Sequence, residues 1–191
     1  MTNRIKRVNH TVSHFLFQFG TYSVFFSKML TDNEIEELIS CEKIIVKAEP
    51  TTGMENDPKS SYIRRKTLKL QSTDKGKIFD VFIRQNTKFI NQFSIGLMFR
   101  VNEKKLTLIR YNGEHGQADW SADKHYSAFH IHKITEELLD KGIFEPKYIE
   151  ITSRFTTYDS AINEFRKHVN INNYTKYFTE IIQLPLFKGG E

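Results

Sequence analysis

Four of the seven histidines in this 191-residue chain fall between His115 and His132, inside the stretch LTLIRYNGEHGQADWSADKHYSAFHIHKIT (Leu106–Thr135). They are His115, His125, His130 and His132, and Arg110 and Tyr111 stand just before them. Histidine is the side chain that exchanges protons near neutral pH, and its neutral ring is a common metal ligand. On a strand, residues i and i+2 project from the same face, so His130 and His132 would point together with Ile131 opposite. His115 lies in Gly113-Glu114-His115-Gly116, where flanking glycines permit close backbone approach. Arg110 could grip a phosphate with two parallel hydrogen bonds. A phosphodiester-cleaving site can be assembled from these parts, with His115, His130 and His132 supplying base and acid and Arg110 stabilising transition-state charge.

Two other readings of the same residues stand beside that one. Strand histidines often serve as half-buried polar groups bonded to backbone, and an isolated His-x-His is common by chance. A metal is the third reading, with His115, His130 and His132 as ligands for zinc or another divalent ion. Glu114, Asp119 or Asp123 could complete such a shell, but the spacing matches no zinc motif, and no cofactor is otherwise implied. His125 reads as a loop residue, and Trp120, the only tryptophan, as an aromatic anchor of its linker.

The order of a strand ending in Arg110-Tyr111-Asn112, then Gly113-x-His115, then His130-x-His132 before a helix resembles an uncharacterised family of small bacterial and mobile-element proteins. More distantly it is similar to the TumE-like toxins of toxin–antitoxin systems. The likeness covers Leu106–His132 well and Leu30–Asn170 in outline. It implies a toxin-like or phage- and plasmid-defence protein acting on RNA or DNA, a ribonuclease being one form, with an antitoxin or other neighbouring-gene protein as partner. It carries over to Arg110, Tyr111, Asn112, His115, His130 and His132, and it brings no mechanism.

A second motif sits near the end of the chain. Gln183-Leu184-Pro185-Leu186-Phe187 resembles the pentapeptide by which bacterial replication and repair proteins dock to the DNA sliding clamp. Gln183, Leu184, Leu186 and Phe187 match, and Pro185 departs at the tolerant middle position. Leu186 and Phe187 would fill an apolar pocket while Gln183 orients the peptide. A non-enzymatic clamp-binding protein is therefore the alternative function, and an antitoxin or other regulatory partner is a further one.

Composition sets the frame for both readings. Net charge is +5 with 39% hydrophobic residues, which suits one globular domain with a mixed, mildly basic surface open to an acidic partner. The single cysteine, Cys41, rules out an intrachain disulfide and favours the cytoplasm. No run of residues approaches the roughly 18 apolar residues of a membrane span. Residues 1–28 combine Arg4, Lys6 and Arg7 with the aromatic stretch Phe15–Phe26, interrupted by Gln18, Gly20, Thr21 and Ser23. They read as an extension or an upstream start, with the folded chain beginning at Met29, a domain over 29–178 and a tail over 179–191.

Several elements must position these residues. Thr31-Asp32-Asn33-Glu34 matches a capping box and predicts a helix over Asp32–Val46. Pro50–Ser61 reads as loop. Tyr62–Gln71, Lys77–Gln85, Ser94–Val101 and Lys105–Tyr111 read as strands, the last pair joined by a turn at Asn102-Glu103-Lys104. Phe129–His132 is a short strand or the lead-in to a helix at Thr135–Asp140, which Gly142 ends. Tyr148–Thr152 is strand-like. Thr157 caps a helix from Tyr158 to about Val169, with Ala161, Ile162, Phe165 and Val169 on one face. The sum is α+β, a largely antiparallel meander packed by two or three helices.

Overall fold

The computed structural model describes residues 30–101, 104–114 and 127–177. It is an α+β fold built on one eight-stranded antiparallel sheet. In chain order the elements are α1 (Asp32–Ser40), β1 (Lys43–Glu49), β2 (Glu55–Asp57), β3 (Ser60–Ser72), β4 (Ile78–Asn86), β5 (Phe93–Val101), β6 (Lys104–Asn112), β7 (His130–Lys133), α2 (Glu136–Asp140), β8 (Tyr148–Ile151) and α3 (Tyr158–His168). The strands lie in the order β1-β3-β4-β5-β6-β7-β8, with the short β2 pairing on β3. From β3 to β8 each strand neighbours the next in sequence, as a meander requires.

Helix α1 begins at the expected capping box. Thr31 Oγ1 accepts from Glu34 N, and the Glu34 carboxylate accepts from Thr31 N at 2.7 Å. It ends earlier than its apolar spacing suggests. The helix stops at Ser40, and Lys43–Glu49 is the edge strand β1 rather than helix. The β-branched run Ile44-Ile45-Val46 favours the pleated surface of β3, and Ile45 reaches the core from a strand. The stretch Pro50–Ser61 likewise holds β2, whose Glu55 and Asn56 pair with Arg65 and Arg64. Gly142 ends α2 with φ 72, a left-handed conformation that glycine adopts without penalty.

One face of the sheet carries the core. Leu68 and Leu70 of β3, Phe79, Val81 and Ile83 of β4, Ile95 and Leu97 of β5, Tyr111 of β6 and Ile131 of β7 are all buried. Against them pack Ile35, Leu38 and Ile39 of α1 and Ala161, Ile162 and Phe165 of α3. A bulge on β6 opposite Leu97 and Met98 governs which side chains face this core. It shifts the strand's alternation by one residue, so that Leu106 before it and Ile109 and Tyr111 after it all turn inward.

Lys43 ties both long helices to the sheet. Its side chain is fully buried, and Nζ donates to Ile39 O at 2.8 Å, Cys41 O at 2.7 Å and Val169 O at 3.1 Å. These carbonyls lie at the C-terminal ends of α1 and α3, where no further helical donor exists. The ammonium also sits 4.7 Å from the centre of the Phe79 ring. Burial pushes its pKa down to about 8, the nearby Cys41 only partly opposing that.

Candidate functional site

The second face of the sheet is polar and basic. Cross-strand partners share a face, so the pairings define its rows. One row runs Thr67, Phe82, Gly96, Arg110, His132 and Ile149 across β3 to β8. The next runs Arg65, Arg84, Ser94, Asn112, His130 and Ile151. On the other side of the first row lie Lys69, Asp80 and Met98.

Arg110 and His132 are thus direct neighbours on β6 and β7. Arg110 is half-buried, and its Nε is enclosed with no hydrogen-bond partner. Burial lowers its pKa, with only the field of Glu145 opposing, and it forms no ion pair among the described residues. Beside it the Phe82 ring lies directly over Gly96, where an added Cβ would fall 2.3 Å from the ring. Glycine therefore opens the shelf on which Phe82 rests, next to the Arg110 guanidinium.

His130 and His132 do share a face, their ring centres 4.9 Å apart and edge-on. His130 is fully buried and its ring nitrogens are engaged. Nδ1 bonds Ala128 O at 2.8 Å, which requires the proton on Nδ1, and Nε2 then accepts from Asn112 Nδ2 at 3.3 Å. Ser94 Oγ donates to Asn112 Oδ1 at 2.8 Å and completes the row. A histidine bonded at both nitrogens cannot exchange a proton without breaking one of those bonds. His132 is nearly buried and faces Arg110.

Tyr111 belongs to the opposite face. It is buried under α3, stacked on Phe155 at 5.0 Å, and its hydroxyl donates to His168 Nδ1 at 2.8 Å. Burial drives the Tyr111 hydroxyl upward and the His168 ring downward in pKa, so the pair is a neutral phenol bonded to a neutral imidazole. Tyr111 and His168 are core, not site.

The remaining basic groups came from no motif. Asp80 is fully buried beneath two cations, bonded by Arg100 Nε at 2.7 Å and Nη2 at 2.9 Å and lying 2.8 Å from Lys105 Nζ. Burial would raise its carboxyl, but the bonds from Arg100 and Lys105 outweigh that and hold it below the ordinary carboxylate range. One carboxylate under two cations leaves this end of the face positive. Lys69 and Arg84 are exposed and form no ion pair among the described residues. Asp80 was detectable as the one acid in the apolar run Ile78-Phe79-Asp80-Val81-Phe82-Ile83.

Gly113 closes the site's lower edge. A Cβ there would stand 1.7 Å from Asn91 O and 2.8 Å from the Phe93 ring. Gly113→Ala is expected to force the connection between β4 and β5 off the end of β6, at a cost of about 2 kcal/mol in urea unfolding. Wild-type stability would contradict so close an approach.

His115, His125, Asp119, Trp120 and Asp123 lie outside the described residues, as do residues 1–28 and the Gln183, Leu184, Leu186 and Phe187 of the clamp-like tail. Among the described residues no group of three or more His, Cys, Asp or Glu side chains is placed to hold a metal, and no helix is long and apolar enough to cross a membrane. Compared with protein-family models, curated proteins and solved structures, the chain matches none of them.

Proposed function

We propose that the protein binds single-stranded nucleic acid across the basic face of its sheet, with Arg110 as the central phosphate contact. The observation that carries this reading is the half-buried Arg110, a cation without an ion-pair partner among the described residues and with its Nε enclosed and unbonded. Keeping part of such a charge away from water is costly, and a phosphate at the guanidinium's exposed edge offsets that cost with a charge-assisted contact. Lys69 and Arg84 flank it as further unpaired cations on the same face. Phe82 and Met98 lie between them as partly exposed side chains on which bases can stack. The cations and partly exposed side chains lie on β3 to β6, about 14 Å at the usual strand spacing, wide enough for a short stretch of strand.

The reading is of binding because Arg110 and the exposed cations carry it, whereas of the three histidines a cleavage site would draw on, His130 has both ring nitrogens committed. A toxin-like or defence role remains compatible with a protein that occupies nucleic acid rather than cutting it.

The test is fluorescence anisotropy of the full chain with labelled single-stranded RNA and DNA over a range of salt concentrations. Neutralising three or four phosphates predicts a log–log slope of about −2 to −3. Absence of binding at low salt, or a slope near zero, would reject the proposal.

A further inference from the structure

At the lower end of the basic face, a cleft of about 460 Å³ opens between the β2–β3 hairpin and the β4–β5 connection. Its lining includes Asp57, Arg84, Gln92, Ser94, Ile63 and Phe93. Arg84 and Ser94 belong to the same cross-strand row as Asn112 and His130, so the cleft continues the face rather than standing apart from it.

The cleft holds one carboxylate, Asp57, among several donors, Lys59 of the hairpin included. Gln92 Oε1 accepts from Asn86 Nδ2 at 3.0 Å, which fixes the amide and leaves both Nε2 protons for a ligand. The Arg84 guanidinium is exposed, forms no ion pair among the described residues, and adds donors on the same side. The hairpin presents the Asp57 carboxylate, whose Oδ1 accepts from Lys59 N while Oδ2 accepts from no donor among the described residues. Ile63 supplies an apolar wall. A ligand that fits has acceptors along one edge, donors along another and a flat apolar body.

We infer that this cleft is a guanine pocket, reading one base of the strand that crosses the sheet. Guanine carries the acceptors N7 and O6 on one edge, which match arginine and amide N–H donors. It carries N–H donors at N1 and N2 on another edge, which match a carboxylate. Adenine presents an amino group where Arg84 and Gln92 offer only donors. Uracil and cytosine lack the paired N7 and O6 acceptors that arginine and amide donors take. The inference rests on the nucleic-acid reading of the face and specifies which base is chosen.

The experiment compares full-chain binding to a short adenosine oligoribonucleotide and to the same strand with a single central guanosine, with the four nucleoside monophosphates as competitors. The guanosine strand is expected to bind about tenfold more tightly, and guanosine monophosphate to compete best. Gln92→Glu keeps the acceptor that Asn86 uses and removes both Nε2 donors, and Asp57→Asn exchanges the carboxylate for an amide. Each is expected to reduce the preference to less than about twofold, with thermal melting used to confirm folding. Equal binding of the two strands by wild type, or a preference that survives both folded variants, overturns the guanine pocket and leaves the binding face standing. No binding of either strand overturns both.

Discussion

Arg110→Met is expected to give a protein that is more stable than wild type and binds single-stranded nucleic acid at least tenfold more weakly. The two halves have one cause. In the unliganded protein the guanidinium is partly withdrawn from water, its Nε is enclosed without a bond, and no carboxylate touches it among the described residues. Methionine keeps much of the side chain's length and removes the desolvated charge, a change worth about 1 kcal/mol in favour of folding. Binding loses a charge-assisted phosphate contact, and the salt slope falls by about 0.7, the contribution of one phosphate on a single strand. Chemical unfolding and anisotropy on the same preparation check both. A destabilised variant with unchanged affinity would make Arg110 a structural residue. Gains of stability at the expense of binding are the usual signature of a functional site.

Lys43→Met is expected to act in the opposite direction and to be the most destabilising single change considered. Methionine fills the space beside Phe79 but leaves three carbonyls at the C-terminal ends of α1 and α3 without their donor. The expected loss is about 3 kcal/mol near neutral pH, or a fall in Tm of about 10 °C. The effect carries a pH signature. Lys43 is depressed to about 8 in the folded protein from an ordinary value of 10.5. Between those values the unfolded chain holds a proton that the folded chain has released, so this residue's contribution to stability rises with pH across the window. The gap between wild type and Lys43→Met should therefore widen by about 2 kcal/mol from about pH 7.5 to about pH 9.5. A gap that is constant or narrows over that range would mean that burial does not control this amine.

The sheet was legible because β3 to β6 are long, apolar and separated by short polar turns, and the capping boxes at Thr31 and Thr157 mark helix starts. The end of α1 was not, because Ile45 satisfies both a helical and a strand spacing and only its pairing with Leu70 decides between them. The pairing of Arg110 with His132 follows from register, and the sequence hinted at the bulge behind it. Apolar residues at Leu106, Leu108, Ile109 and Tyr111 break the two-residue period between Leu108 and Ile109. What sequence could not convey is the fate of each histidine. His130 and His132 have the same local pattern, yet His130 is bonded at both nitrogens because Asn112 lies across the ladder and Ala128 O lies two residues back. Nor could spacing reveal that Lys69, Arg84 and Arg110, from three separate strands, lie on one face.

The most direct measurement follows the Arg110 Nε–Hε resonance in the ¹H–¹⁵N spectrum of the full-length protein, assigned by comparison with Arg110→Lys, while a single-stranded oligonucleotide is added. That proton is enclosed and unbonded in the free protein. A phosphate held at the guanidinium's exposed edge should shift this neighbouring resonance, saturating at the same concentration as the anisotropy signal. Saturated binding that leaves this resonance in place would show that the strand lies elsewhere and would contradict the assignment of the basic face.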